Sequence, residues 1–339
     1  MSVYTTVTQS QLEQFLANYT VGSLVSFEGI SAGIENTNYF VTSGGGQYVL
    51  TLFEALSLSE LPYFLNLMAF LNEHNIPCAH PIADKQGKYL QSLNNKPATL
   101  VQRLCGASVE VTTVAHCQAI GAALGKMHRE SAGFNGWHDN SRGSQWRKSA
   151  AKTLLPLMSV KTSKIIAAKP DETHADQLSE PADDVALLKE ELRLQLLYQF
   201  SDLPAGVIHA DLFRDNALFS DEKLTGVIDF YYACNDVFLY DIAVTVNDWC
   251  VRQDGSLDFE KATRLLANYH QERPLSAIER GAWPVMLRRA ALRFWLSRLM
   301  DLHFPREGEI TQYKDPSAFK RILLARIHEE TQLDDVWPE

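Results

Sequence analysis

A chain of 339 residues, 46% hydrophobic and 21% charged, is long enough for two lobes, each with a substantial core. Its net charge of −10 excludes a non-specific nucleic-acid or acidic-membrane binder, whose affinity would come from clustered Lys and Arg, but does not exclude a nucleotide held by a local constellation. No stretch approaches the ~18 apolar residues of a membrane span and the start of the chain lacks the basic and apolar parts of a signal peptide, so cytoplasmic residence is expected.

Residues 1–104 read as a smaller lobe of mixed α and β character. Strand character is found at 19–30, 37–41 and 47–53, with Ser43-Gly44-Gly45-Gly46 as a turn. The pair Ser57 and Glu60 forms a capping box ahead of Leu61, Phe64, Leu65, Met68 and Leu71 at helical spacing, and Asn75-Ile76-Pro77 ends that helix. Further β segments are predicted around 87–91 and 98–104, and Cys105-Gly106 marks the hinge to residues 105–339. Helical periodicity dominates from there, beginning with Cys117, Ile120, Gly121, Leu124 and His128 on one face. Residues 163–184, rich in Lys, Asp, Glu, Ala and Pro, read as an exposed insertion. Helices are predicted at 236–250 and 282–303; the second is apolar nearly all round, so Arg289, Arg293 and Arg298 need partners if buried. Cys78, Cys105, Cys117, Cys234 and Cys250 are scattered and read as reduced residues, not as a disulfide frame or zinc site.

The chemistry concentrates in Val207-Ile208-His209-Ala210-Asp211-Leu212-Phe213-Arg214-Asp215-Asn216 and in Gly226-Val227-Ile228-Asp229-Phe230. Phosphoryl transfer asks the protein for a carboxylate beside the attacking hydroxyl and for oxygen ligands to Mg²⁺. Asp211 fits the first task, and Asn216 and Asp229 the second. Between them, 217–219 and 224–230 read as two strands joined by the polar turn Ser220-Asp221-Glu222-Lys223, a fold-back that brings Asn216 and Asp229 together. A hard cation that keeps waters and phosphates needs no more protein ligands than that pair. The plainer alternative, in which these Asp and Asn residues only serve turns, does not account for loop, hairpin and second Asp in register. His209 is expected to bond backbone near Asp229 and fix the loop.

Close approach of backbone N–H groups to phosphates needs small residues, which Gly29, Ser31, Ala32 and Gly33 supply ahead of Asn36. The lysine that a protein kinase uses to hold the α and β phosphates is absent: Thr51 stands there in Tyr48-Val49-Leu50-Thr51-Leu52-Phe53. Glu60 then either has another role or only completes the capping box. Backbone at Gln102 to Leu104 is the candidate adenine hinge. These phosphotransfer features leave three classes open: a kinase for an amino-alcohol, a kinase for another hydroxylated amine, and a catalytically silent nucleotide-binding protein, which Thr51 favours and Asp211, Asn216 and Asp229 oppose.

Together with that loop, the segments Gly33-Ile34-Glu35-Asn36-Thr37-Asn38-Tyr39-Phe40, Tyr48 to Glu54, Asn247-Asp248-Trp249-Cys250 and Leu292-Arg293-Phe294-Trp295-Leu296-Ser297-Arg298-Leu299 resemble homoserine kinases of the aminoglycoside-phosphotransferase-like type. The likeness spans most of the chain and is weakest at 140–190; Thr51 is similar to what that family carries. It implies a two-lobed, protein-kinase-like α+β fold, with a small β-rich nucleotide-binding lobe at 1–104 and a larger, mainly helical catalytic and substrate-binding lobe at 105–339. It also implies ATP and Mg²⁺ as cofactors, L-homoserine as the small-molecule partner, and O-phospho-L-homoserine, on the route to threonine, as product. The expected site is then Asp211 and Arg214 for catalysis, Asn216 and Asp229 for metal, and Ser31, Ala32, Gly33, Asn36, Thr51, Gln102 and Leu104 for nucleotide. Arg293 would take the acceptor's carboxylate, since its planar fork matches two oxygens, and Asp248 its ammonium. An Arg on an apolar helix also pairs structurally with carboxylates such as Asp301 or Asp248. Asp241 resembles the aspartate that braces the catalytic loop, and Trp249 and Trp295 read as core aromatics. Choline, ethanolamine and aminoglycosides are the alternative acceptors.

Overall fold

The computed structural model describes residues 5–30, 36–159, 181–305 and 314–338. It opens on a helix that periodicity did not reveal, α1 (Gln9–Leu16), whose Thr8 and Gln11 close a capping box and which buries Leu12, Phe15 and Leu16. Strands β1 (Leu24–Gly29), β2 (Asn36–Ser43) and β3 (Gly46–Phe53), helix α2 (Leu61–Glu73), and strands β4 (Leu90–Leu93) and β5 (Lys96–Gln102) complete this part. The five strands form one antiparallel sheet in the order β1-β2-β3-β5-β4.

Strand β2 alternates strictly, with Thr37, Tyr39, Val41 and Ser43 buried, as period-two patterning requires. The predicted strand at 19–30 is shorter than expected: Gly22 takes φ 79°, which turns the chain, so Tyr19 and Val21 are buried ahead of β1. The last two β segments pair around a turn at Asn94 and Asn95, both in the left-handed region.

The larger part contains α3 (Val114–Glu130), α4 (Ser144–Ser159), α5 (Pro181–Leu197), β6 (Ala205–Ile208), β7 (Ala217–Ser220), β8 (Lys223–Val227), β9 (Cys234–Val237), α6 (Phe238–Trp249), α7 (Phe259–Glu272), α8 (Ala277–His303) and α9 (Pro316–His328). Of the predicted insertion, 163–180 lie outside the described residues and 181–184 open α5. The helix expected at 236–250 begins at Phe238, because Asp236 is drawn into β9 by pairing with Gly206 of β6. Helix α8 starts about one turn earlier than expected, at a capping box formed by Ser276 and Glu279. Its arginines find partners: Arg289 donates to Gln195 and the Tyr198 carbonyl, and Arg298 to the Asp315 carbonyl. Four of the five cysteines are buried thiols and Cys105 is exposed. No helix among the described residues is long and apolar enough to cross a membrane.

Helices α3 and α7 approach so closely that a Cβ on Gly121 would lie 2.2 Å from the Leu265 carbonyl oxygen. Gly121→Ala is therefore expected to destabilise the protein by about 2–3 kcal/mol through overpacking. A thermal melt unchanged from wild type would show that the helices can separate without penalty.

The β7–β8 hairpin is clamped by the chain after β5 and by the chain after α2. Ala107 and Phe219 exchange two backbone bonds of 3.0 and 2.8 Å, and the Val227 amide donates to the Pro77 carbonyl at 2.6 Å. Gly106, at φ 103°, permits this, since a Cβ there would meet the Thr225 hydroxyl at 2.4 Å and the Phe219 carbonyl at 2.7 Å. The metal-segment candidates thus sit directly beneath the sheet that carries Thr51.

Candidate active site

The loop after β6 is held by one carboxylate. Asp241, in the first turn of α6 and fully buried, accepts from the backbone amides of His209 and Ala210, each at 2.7 Å. Both amides converge on it because Ala210 adopts φ 64°, a left-handed conformation that costs a non-glycine residue about 1 kcal/mol or more. His128 Nε2 also contacts Asp241, at 3.0 Å, while its Nδ1 meets the Tyr269 hydroxyl at 2.7 Å. Burial lowers the pKa of His128 and of His209, keeping both rings neutral, so the nitrogen facing a carboxylate or carbonyl carries the proton. His209 Nε2 accordingly donates to the Ile228 carbonyl at 3.0 Å, next to Asp229, and its Nδ1 accepts from the Asp211 amide at 3.3 Å. The bracing roles read from sequence for His209 and Asp241 correspond to these bonds.

Asp211 follows immediately. Burial pushes its carboxyl up to about 7; the Arg293 guanidinium opposes that rise and the Asp229 carboxylate adds to it. Arg293 Nη1 lies 3.7 Å from Asp211 Oδ1, long for an ion pair. Asn216 closes the short 3-10 turn at Arg214–Asn216 and directs its Nδ2 to the Asp211 carbonyl at 2.8 Å and to its carboxylate at 3.3 Å. That orientation turns the amide oxygen of Asn216 away from Asp211. Asp229, beyond the end of β8, adopts a left-handed conformation, φ 62°; the strand stops at Val227, three residues short of the predicted 224–230, and Asp229 is exposed. An amide oxygen and an exposed carboxylate are hard donors that suit Mg²⁺. Phe230 packs on the His209 ring, with 4.7 Å between centroids, and Tyr231 meets Phe53 of β3 edge-on at 4.9 Å.

The remaining predicted residues fall into two groups. Arg214 and Asp248 hold each other: Asp248 accepts from the Arg214 amide at 2.8 Å and from Nε and Nη2 at 3.1 and 3.3 Å, while Nη1 donates to the Glu110 carbonyl. The carboxylate found at Arg293 is Asp211. On the nucleotide side, Thr51 is buried and donates to Asn38 Oδ1 at 2.7 Å. Asn36 opens β2, whereas Ser31, Ala32 and Gly33 lie outside the described residues. The Gln102 amide donates to the His80 carbonyl, and Leu104 packs against Gly226 just beyond β5. Glu60 accepts from the Ser57 amide and hydroxyl at 3.1 and 2.6 Å, but the predicted capping box is not formed. Helix α2 begins only at Leu61, Glu60 is its N-cap without a side-chain capping bond, and the Glu60 amide bonds the Ser57 carbonyl in a preceding turn. Trp249 and Trp295 are buried, and Trp249 Nε1 donates to the Leu212 carbonyl under the loop.

Sequence reasoning did not assign roles to His128, Tyr269 or Asn38. For His128 a signal existed, a polar residue on an otherwise apolar helical face. Nothing local marked Asn38 as the partner of Thr51; that pairing is a cross-strand register between β2 and β3.

Residues 26–275 match the model of the phosphotransferase enzyme family. A homoserine kinase of Methylobacillus flagellatus is 47% identical over 337 residues, covering 99% of both chains, and that of Methylobacillus glycogenes is 44% identical at the same coverage. Among solved structures, an amicoumacin kinase in complex with AMP-PNP, Ca²⁺ and Ami is similar with a TM-score of 0.65 at 17% identity, covering 98% of this chain and 96% of that one. At that identity it supports the fold alone: a kinase-like arrangement of an antiparallel sheet and a larger helical part. With near-complete coverage at close to half identity, this chain belongs to the homoserine kinase family within the phosphotransferase enzymes.

Proposed function

We propose that this chain transfers the γ-phosphoryl group of ATP to the side-chain hydroxyl of L-homoserine, with Asp211 accepting the hydroxyl proton and Asn216 and Asp229 holding Mg²⁺. The observation that carries the reading is the Asp211 carboxyl, desolvated to about 7 and fixed by Asn216 on a loop braced by Asp241. A base poised near neutrality can orient and deprotonate an alcohol as it attacks, while remaining a weak enough base to be ionised at working pH. Mg²⁺, when bound, neutralises charge on the phosphate oxygens. The chain's own residues do the rest: Asn216 keeps Asp211 in place, and Phe230 and Tyr231 pin the Asp229 segment between loop and sheet.

Residues 1–104 are then the nucleotide-binding lobe and 105–339 the catalytic and acceptor lobe. Adenine would lie against the chain after β5. With the Gln102 amide committed to His80, the backbone at Leu104 is the better donor. Thr51 supplies no charge to the phosphates; its hydroxyl bonds Asn38 within the sheet, and the Phe53 ring against Tyr231 ties the sheet to the Asp229 segment instead. Arg214 is neutralised by Asp248 in this conformation, so contact with phosphate or acceptor from either residue requires the pair to open.

The test is Mg²⁺-dependent ADP release with L-homoserine, L-serine, L-threonine, choline, ethanolamine and kanamycin. Selective turnover of L-homoserine that disappears with EDTA and returns with added Mg²⁺ is expected. Preference for an acceptor without a carboxylate would overturn the acceptor assignment, and metal-independent turnover the role of Asn216 and Asp229.

A further inference from the structure

A half-open cavity of about 120 Å³ lies where the catalytic loop, the connection from α6 to α7, and helices α8 and α9 meet. The chain carries a net charge of −10, yet this lining brings together Arg214, Arg252, Arg298 and Arg321 with a single carboxylate, Asp248. Asp248 is already committed: both of its oxygens accept from the Arg214 side chain, and one of them also from the Arg214 amide. Among the described residues that is the one ion pair within the lining. Arg298 donates to the Asp315 carbonyl and Arg321 to the Ser317 hydroxyl, each at 2.9 Å, and these neutral acceptors leave both charges in place. Burial lowers the pKa of Arg298, and the charges of Asp248 and Asp315 oppose that shift. Carboxylates just outside the lining are engaged as well. Asp254 accepts from the Ser256 amide and hydroxyl at 2.9 and 2.6 Å, Asp315 from the Ser317 amide at 2.8 Å, and Glu329 from Arg326 and the Leu257 amide.

The fold fixes this convergence. The turn after α6 closes through the Gly255 amide on the Arg252 carbonyl at 3.0 Å and the Arg252 amide on the Ser256 carbonyl at 2.9 Å. Gly255, at φ 90°, lies so close to α9 that a Cβ there would meet the Arg321 carbonyl carbon at 2.9 Å. That approach brings Arg252 and Arg321 to the same space. On the inner side, Phe319 lines the cavity and packs on Phe294 and Phe213, with 5.0 and 5.8 Å between centroids. Asp211, Asn216, Asp229 and Arg293 take no part in the lining, so the space is distinct from the site at Asp211.

We propose that this cavity is a second anion site, which takes a phosphate group, free or as a phosphomonoester. Three arginines without a carboxylate of their own line it from three elements, and their planar forks match the oxygens of a tetrahedral dianion. A cavity of roughly 150 Å³ accepts benzene, so about 120 Å³ is room enough for phosphate. Like charges gathered around one space repel, and a dianion between them relieves the repulsion. Arg214 joins the site to the catalytic loop, three residues after Asp211. The assignment stands apart from the identity of the acceptor.

The test is a titration of the full chain with inorganic phosphate and with glycerol 3-phosphate, at ionic strength matched with sodium chloride, read by calorimetry and by melting temperature. Wild type is compared with Arg252→Gln, Arg321→Gln and the double variant. Both residues are exposed, so the variants should melt within about 2 °C of wild type in chloride. Wild type should bind phosphate saturably and melt higher with it. Each single variant should lose about tenfold in phosphate affinity, and the double variant more. Affinity for MgATP should stay within about twofold throughout. Equal phosphate binding by wild type and the double variant would place the anion elsewhere and overturn the proposal, as would the absence of binding beyond the chloride control. A parallel fall in MgATP affinity would show that the variants act on the nucleotide site, and would overturn it too. Tighter binding of glycerol 3-phosphate marks a monoester as the occupant, and equal or weaker binding marks free phosphate. Binding is read without turnover, so an inactive wild type would refute the kinase reading alone.

Discussion

Asp211→Asn is expected to lower kcat for L-homoserine by about 10²–10⁴-fold, the contribution typical of a positioned general base, while raising the melting temperature at neutral pH. The two effects have one cause. In the folded protein burial pushes the Asp211 carboxyl up to about 7, against about 3.9 for an unfolded aspartate. Between those values the folded state holds a proton that the unfolded state has lost. Stability attributable to this group is therefore fully present below about pH 4 and is lost as pH rises toward 7. The amide variant has nothing to ionise, and its oxygen still accepts from Asn216 Nδ2. Its advantage in melting temperature over wild type should widen steadily from pH 4 to pH 7. Parallel melting curves across that range would show that Asp211 is not desolvated as described, and retained turnover would remove it from the chemistry. Removing the partner of Arg293 works in the opposite direction, but the 3.7 Å separation makes that pair weak. Stability given up at a carboxylate proposed as general base is a common trade for function.

Asp241→Ala should be more damaging to the fold than any substitution in the site itself. It leaves the amides of His209 and Ala210 and the His128 Nε2 hydrogen buried without an acceptor. At about 1–3 kcal/mol for each of the three unsatisfied groups, the loss is about 3–9 kcal/mol, within reach of the whole stability of a domain. The left-handed Ala210 has no other reason to persist, so the loop should relax and carry Asp211 and Asn216 out of register. Asp241→Asn keeps the shape but replaces one acceptor oxygen by a donor facing a donor, and is expected to recover only part of the loss. The measurements are a denaturant melt and single-turnover ADP formation. A variant that melts like wild type yet is inactive would mean that Asp241 acts on the reaction directly; one that is both stable and active would mean that the loop does not depend on it.

The catalytic loop, the β7–β8 hairpin and the bracing residues were legible because their information is local. Asp211, Asn216 and Asp229 sit at spacings imposed by one turn and one hairpin, and short-range geometry carries them to the same place. Strand β2 was equally plain, since alternation of buried Thr37, Tyr39 and Val41 with outward residues is a property of the segment alone. Helix α1 escaped notice because its apolar face is narrow, only Leu12, Phe15 and Leu16, and its cap at Thr8 relies on a Gln. The start of α8 was misplaced because Ser276 and Glu279 precede the apolar stretch by a full turn.

From sequence, Asp248 and Arg293 pair as the partners for the two ends of an amino acid, because both lie in family-like helical segments. The structure gives Asp248 to Arg214, on the outer side of the loop, and Arg293 to Asp211. Sequence could not have sorted four charges into those two pairs. Each pair joins residues from different elements, and ion pairing is decided by which side chains share a space after packing, not by their order in the chain.

The sequence by itself determined the reaction class and the loop and hairpin that carry the proposed residues Asp211, Asn216 and Asp229, because phosphoryl transfer depends on a few side chains whose spacing is set by local structure. Only the tertiary structure decided the environment of those groups. Burial raises Asp211, and pairing with Asn235 of β9 pins the chain ahead of α4 at His138. Desolvation is a property of packed surfaces from distant segments, which no local pattern encodes.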